Sequence, residues 1–111
     1  MENASAPCIV LSTWPAGTPV EPLLQALVAE RLAACVHVAD AGTSVYRWDG
    51  AVESARERPL VIKTTRAALA AVEARFLALH PYDVPEWLVL DAAGSADYAR
   101  WIAASVGPDT P

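Results

Sequence analysis

The sequence predicts an α+β domain of the order β-α-β-β-α-β, followed by one further helix. Three observations predict it. Segments rich in β-type residues alternate with helical apolar stripes in that order. The pair Asp49-Gly50 makes the two central strands antiparallel neighbours. A length of 111 residues suits one core and gives no reason to split. We therefore expect one domain over residues 1–111, its core at about residues 8–104 and both termini flexible.

The first strand is Cys8 to Trp14, and it closes on Trp14-Pro15-Ala16-Gly17, where proline fixes φ and glycine frees it. Thr18-Pro19-Val20-Glu21 then reads as a capping box, with Pro19 preset for a first helical turn; Pro22 blurs the start, and Glu21 is the alternative cap. Val20, Leu23, Leu24, Leu27, Val28 and Leu32 recur at helical spacing and give the first helix one apolar stripe. Cys35 to Ala39 turns β-type, Asp40-Ala41-Gly42 interrupts, and Thr43 to Trp48 resumes, which predicts a bulge or kink in one long second strand.

Type I′ closure at Asp49-Gly50 needs positive φ at both residues, and it sets Trp48 opposite Ala51 and Tyr46 opposite Glu53. Both aromatics then leave one face of the ribbon beside a carboxylate. The third strand runs on through Leu60-Val61-Ile62-Lys63, with Pro59 marking an irregular or edge position. Thr64 and Thr65 are candidate caps for the second helix, whose stripe is Leu69, Val72, Phe76 and His80, and Pro81 stops it. Trp87-Leu88-Val89-Leu90 is a short buried fourth strand, and Ser95 to about Ala104 a last helix with Tyr98, Trp101 and Ile102 on one side. Residues Gly107 to Pro111 are expected to fray.

This pattern implies an antiparallel sheet of order 4-1-3-2 with two helices over one face. Strand three then separates Cys8 from Cys35 by two spacings of about 4.8 Å, beyond the ~7 Å Cα reach of a disulfide. The hairpin from Val36 to Lys63 is longer than two helices can cover. Its Trp48 end should overhang and pair with another subunit.

Composition narrows the function classes. An apolar fraction of 54% and a mean hydropathy of +0.27 are high for so small a domain, which points to apolar surface that meets a partner chain. A net charge of −5, with scattered Lys and Arg, argues against nucleic acid and against anionic membrane surfaces. No apolar run approaches the ~20 residues of a membrane span, and the first residues lack a basic n-region, so the expected compartment is the cytoplasm.

Cys35-Val36-His37 puts a thiol and an imidazole on one strand face, ligands that copper or zinc accept; a buried thiol is the commoner role, and two ligands do not complete a site. His80 ends a helix, where the dipole favours imidazolium and the ring can bond free carbonyls. Its functional alternative is a ligand or proton-transfer group beside Tyr82, Asp83 and Glu86. Lys63 can pair with a carboxylate such as Glu86, in a cleft or in an ordinary salt bridge. No nucleophile elbow, diacid spacing or phosphate-cradling glycine run occurs, so no enzyme is predicted.

Several strings nevertheless fall together: Glu30-Arg31-Leu32-Ala33-Ala34-Cys35-Val36, Tyr46-Arg47-Trp48-Asp49-Gly50, Ile62-Lys63-Thr64-Thr65, His80-Pro81-Tyr82-Asp83-Val84-Pro85-Glu86 and Tyr98-Ala99-Arg100-Trp101. In that order, from about Ile9 to Ala103, the chain resembles the CutA family of divalent-cation tolerance proteins. The resemblance implies a tight homotrimer of ferredoxin-like subunits, similar in architecture to PII-type signalling proteins, with the long hairpin packed on a neighbour. It implies a role in copper or other divalent-cation tolerance through metal binding or metal response, with no cofactor required beyond such an ion. The alternatives it leaves are a PII-like small-molecule sensor with an intersubunit cleft and a protein-anchoring scaffold.

Carried over by residue, the resemblance marks Cys35 and His80 as the first metal candidates; His37, on the strand face of Cys35 by spacing, is the next. It marks Tyr46, Trp48, Lys63, Tyr82, Glu86 and Trp101, with His80, as the cleft between subunits. The chain departs from the family at Trp14-Pro15-Ala16-Gly17, where an acidic turn is usual, and at Arg56-Glu57-Arg58-Pro59, which is less acidic than many counterparts. Both changes weaken any role for acidic loops in gathering cations.

Overall fold

The computed structural model describes residues 3–108. Its elements are β1 (Pro7–Pro15), α1 (Glu21–Ala29), β2 (Cys35–Val38), β3 (Gly42–Trp48), β4 (Ala51–Thr65), a 3₁₀ turn (Arg66–Ala68), α2 (Leu69–Leu79), β5 (Leu88–Asp91) and α3 (Ala96–Ser105). The strands form one antiparallel sheet in the order β2-β4-β1-β5, with β3 continuing along β4 beyond β2. The α+β class is as expected.

Alternation along β1 and β4 sends Val10, Trp14, Leu60 and Ile62 to one face, where Leu23 and Leu27 of α1 and Val72 and Phe76 of α2 close over them. These side chains are almost fully buried, and Trp14 meets Phe76 edge-on at 6.4 Å between ring centroids. The other face carries Ile9, Leu11, Val61 and Lys63, with α3 lying against part of it. Ile102 anchors α3.

Both expected side-chain caps are corrected. Val20, not Thr18, precedes α1, without a side-chain cap, because Thr18 is committed to the turn before it: its N–H donates to Pro15 O at 3.1 Å and its carbonyl accepts from Trp14 Nε1 at 3.0 Å. Pro22 in the first turn presets φ there and has no N–H to satisfy. Thr64 spends its hydroxyl on Leu32 O at 2.7 Å, and the 3₁₀ turn separates Thr65 from α2. The apolar stripe of α1 also stops early. The helix ends at Ala29, Arg31 takes φ of 57°, and the N–H groups of Leu32 and Ala33 turn back to Leu27 O at 3.0 Å. Arg31 holds this uncommon conformation because its guanidinium donates to Ala104 O at 2.7 Å and to Gly107 O, tying α1 to the chain after α3.

The expected kink in the second strand divides it into β2 and β3. Val38 pairs with Leu60 and Gly42 with Glu57, so residues 39–41 face only Arg58 and Pro59: one residue is inserted, as in a β-bulge. Two arginines hold the insertion, Arg58 through Ala39 O at 3.2 Å and Arg56 through Ala41 O at 3.3 Å and Thr43 Oγ1 at 3.2 Å. Pro59 lies in a central strand, not at an edge. Its carbonyl accepts from Ala39 N–H at 3.0 Å, so its missing donor falls on the bulged side, where no regular ladder bond is lost.

The hairpin closes as expected, with positive φ at Asp49 and Gly50, Trp48 opposite Ala51 and Tyr46 opposite Glu53. The fourth strand of the sequence, β5, is not buried in the subunit. Leu88 and Leu90 are 56% and 50% exposed, because α3, which lies on their face of the sheet, packs against β4 and β1 instead. Of the expected frayed tail, residues 109–111 lie outside the described residues, whereas Gly107 N–H donates to Arg31 O at 2.9 Å.

Candidate functional site

Strand alternation in the ribbon puts Ser44, Tyr46 and Trp48 of β3 on one face with Glu53 and Glu57 of β4. The loop from Tyr82 to Glu86 stands across from them, and between lies an open cleft of about 660 Å³. Glu53, Glu57, Asp83 and Glu86 line it, and no Lys or Arg does.

His80 fixes the loop. It ends α2 with ψ of 137°, which swings the ring out of the helix and into an aromatic pocket, with centroids 4.8 Å from Trp14, 5.1 Å from Phe76 and 4.9 Å from Tyr82. Nδ1 accepts from Tyr82 N–H at 3.0 Å, so the ring proton sits on Nε2, which donates to Thr13 O at 2.9 Å. Burial lowers the imidazole's pKa, against the opposing pull of the Thr13 bond and the Glu57 charge. The ring is a neutral strut here, not the helix-end imidazolium that sequence position favoured. Ser12 Oγ adds a second tie, donating to Glu86 O at 2.6 Å.

Tyr82 carries this order into the cleft. Its hydroxyl donates to Glu57 Oε2 at 2.9 Å, bonding the loop to the ribbon. Burial, then the bond to Glu57 and its charge, push the phenol up to about 12. Glu57 is 8% exposed, although it sits in the ribbon half of β4.

Four of the sequence-predicted cleft residues, Tyr46, Trp48, Tyr82 and Glu86, thus come together. Lys63 and Trp101 do not join them within one subunit. Lys63 shares a face of β4 with Glu57 but stands six residues, or about 20 Å, along the strand. Its ammonium donates to Tyr98 Oη at 3.2 Å rather than pairing with Glu86, and that bond and the Tyr98 charge raise its pKa. Trp101 packs on Tyr98 at 5.3 Å between ring centroids.

Cys35 lies opposite Lys63, and His37 two residues on, opposite Val61, so thiol and imidazole share the outer face of edge strand β2. Cys8 points to the opposite face, with β4 between, and both thiols are free. His80 is far from Cys35: its partner Thr13 is four residues, about 13 Å, along β1 from Ile9, which faces Lys63. Among the described residues no three His, Cys, Asp or Glu side chains converge to hold a metal ion. One subunit therefore fits at most a half-site, Cys35 with His37.

Comparison with known proteins decides the family. The model of the CutA1 divalent ion tolerance protein matches residues 8–105. The chain belongs to the CutA1 family. The divalent-cation tolerance protein CutA of Thermus thermophilus is 42% identical over 100 residues, covering 89% of this chain and 97% of that one. CutA of Escherichia coli is 36% identical over 103 residues, 92% of each chain. Among solved structures, the Thermus thermophilus protein superposes with a TM-score of 0.86 at 41% identity, over 91% of this chain and 99% of that one. CutA from Xylella fastidiosa gives 0.86 at 35%, over 92% and 99%. Among the described residues, no helix of this CutA1 family member is long and apolar enough to cross a membrane.

Glu57 and Thr13 were not singled out from the sequence, and Asp83 was named only as a neighbour of His80. For Glu57 the signal was there: Asp49-Gly50 fixes the register, and position 57 follows 53 and 55 on the face that Tyr46 occupies. Asp83 and Thr13 reach the cleft only through the path of the loop and the twist of β1, which no local spacing encodes.

Proposed function

We propose that this CutA1 family member serves divalent-cation tolerance as a cytoplasmic homotrimer, binding or responding to copper or another divalent cation rather than catalysing a reaction. The observation that carries the reading is the family match across residues 8–105. The Cys35–His37 face supports a direct role: a thiol and an imidazole on an edge strand are half of a copper site, which side chains of a second copy would complete. His80 could serve as a ligand only by giving up its bond to Thr13 or to Tyr82. Support for the trimer is the apolar outer face, where Leu88, Leu90, Tyr98 and Trp101 are exposed in the single subunit.

Titration of the assembled protein with copper tests the direct role. Saturable binding is expected, lost in Cys35→Ala and weakened in His37→Ala. No saturable binding, or binding unchanged in both variants, sinks it. Sedimentation at micromolar concentration should show a trimer, and a monomer there would overturn the assembly. A second reading, a small-molecule sensor, draws its support from the cleft of about 660 Å³ between ribbon and loop.

A further inference from the structure

Among the described residues, Arg31 and Asp49 take a left-handed φ without being glycine. At Asp49 the type I′ turn asks for it. At Arg31 nothing local does: it follows Glu30, the C-cap of α1, at the position where glycine is the usual and cheaper residue. What arginine adds there is reach. Its guanidinium donates to Ala104 O at 2.7 Å and to Gly107 O, and its own carbonyl accepts from Gly107 N–H at 2.9 Å. A cation thereby meets the carbonyl end of α3, where the helix dipole and the unpaired carbonyls favour it.

The rest of α3 is lightly held. Ile102 is the buried side chain of this ten-residue helix, and the Lys63 ammonium ties Tyr98 Oη to the sheet at 3.2 Å. Elements with so few buried apolar contacts open ahead of global unfolding. The helix also carries Tyr98 and Trp101 on the sheet face proposed for assembly, so a subunit with a loose α3 would have to order it on associating, at a cost in affinity. We propose that Arg31 is a clasp that docks α3 on the sheet and so presets the face through which copies of the chain associate, making assembly conditional on the turn between α1 and β2. The docking of α3 stands on contacts within one subunit, and its effect on assembly rests on the trimer reading.

Hydrogen exchange of the full chain, read by mass spectrometry, and sedimentation over a dilution series test this on Arg31→Gly, which supplies the residue the left-handed turn prefers and deletes the clasp. Amides from Ala99 to Ser105 should exchange about tenfold faster than in wild type, the scale of one charge-assisted hydrogen bond, with those of α2 and β4 unchanged. The trimer should come apart at a protein concentration about tenfold higher. Arg31→Lys keeps the charge but gives up the planar fork; it should fall between the two, and it decides the matter if the glycine variant folds poorly. Unchanged α3 exchange in both variants, or exchange raised equally in α2 and β4, overturns the clasp. A loosened α3 in a trimer as resistant to dilution as wild type overturns its hold on assembly. A wild type that is already monomeric overturns that half together with the trimer reading, while the exchange of α3 still decides the clasp.

Discussion

Strand β4 passes through two environments. From Leu60 to Thr64 its alternate side chains are buried under α1 and α2, while from Ala51 to Ser54 it is exposed on both faces, as is most of β3 beside it. The helix-covered half is held by close-packed apolar contact, and the ribbon by backbone ladder bonds and a few polar ties at its base. The boundary falls at residues 57–59, where the bulge, the two arginine clamps and the Tyr82–Glu57 bond are gathered. Packing there gives way to hydrogen bonding, and the cleft opens at the same point.

The sharpest test of that contrast is a truncation in each half. Phe76→Ala removes a fully buried ring that touches Trp14, His80 and Trp87, and should cost about 3–5 kcal/mol in urea denaturation. Val52→Ala in the ribbon, where the side chain is 67% exposed, should stay within about 0.5 kcal/mol. Comparable losses from the two would mean that the ribbon is packed against something in solution.

The covered half was the legible one. The stripe Val20, Leu23, Leu27 and the trio Leu69, Val72, Phe76 mark helices by spacing alone, and the ribbon's register follows from two turn residues. Pro81 and Ser95 did mark the end of α2 and the start of α3, but the starts of α1 and α2 were not legible, because Thr18 and Thr64 are drawn off by bonds to Trp14 and Leu32. The cleft was half legible. Tyr46, Trp48, Tyr82 and Glu86 come together, but Lys63 and Trp101, joined to them only by the family resemblance, lie at the other end of the sheet in one subunit.

His80 joins the two halves, packing on Phe76 on one side and carrying Tyr82 on the other. His80→Ala should cost about 2–4 kcal/mol, from lost ring packing and from leaving Tyr82 N–H without its acceptor. Its pKa is lowered in the fold, so an unfolded chain takes up a proton near the ordinary 6.5 that the folded ring resists. The His80 contribution is therefore full above pH 6.5 and declines as pH falls below it. Chemical denaturation of wild type and variant across that range measures this. A stability difference that did not shrink in acid would show that the ring is not held neutral.

Tyr82→Phe asks the smallest effect to carry the most information, because it removes one oxygen from the tie between loop and ribbon and leaves the aromatic packing in place. The expected cost is about 1–2 kcal/mol, the penalty of leaving the buried Glu57 carboxylate without its donor. Adding Glu57→Gln should cost less than the two single changes together, since the second removes the charge that the first stranded. In alkali the sign is fixed. An unfolded chain releases the phenolic proton near pH 10, while the folded one holds it to about 12, so this contribution is complete below pH 10 and is lost as pH rises through 12. The phenylalanine variant has no such proton, so its stability deficit against wild type should narrow over those two pH units. A deficit that stays constant would place the Tyr82 hydroxyl in water rather than on Glu57, and the ribbon would then be free of the loop that faces it.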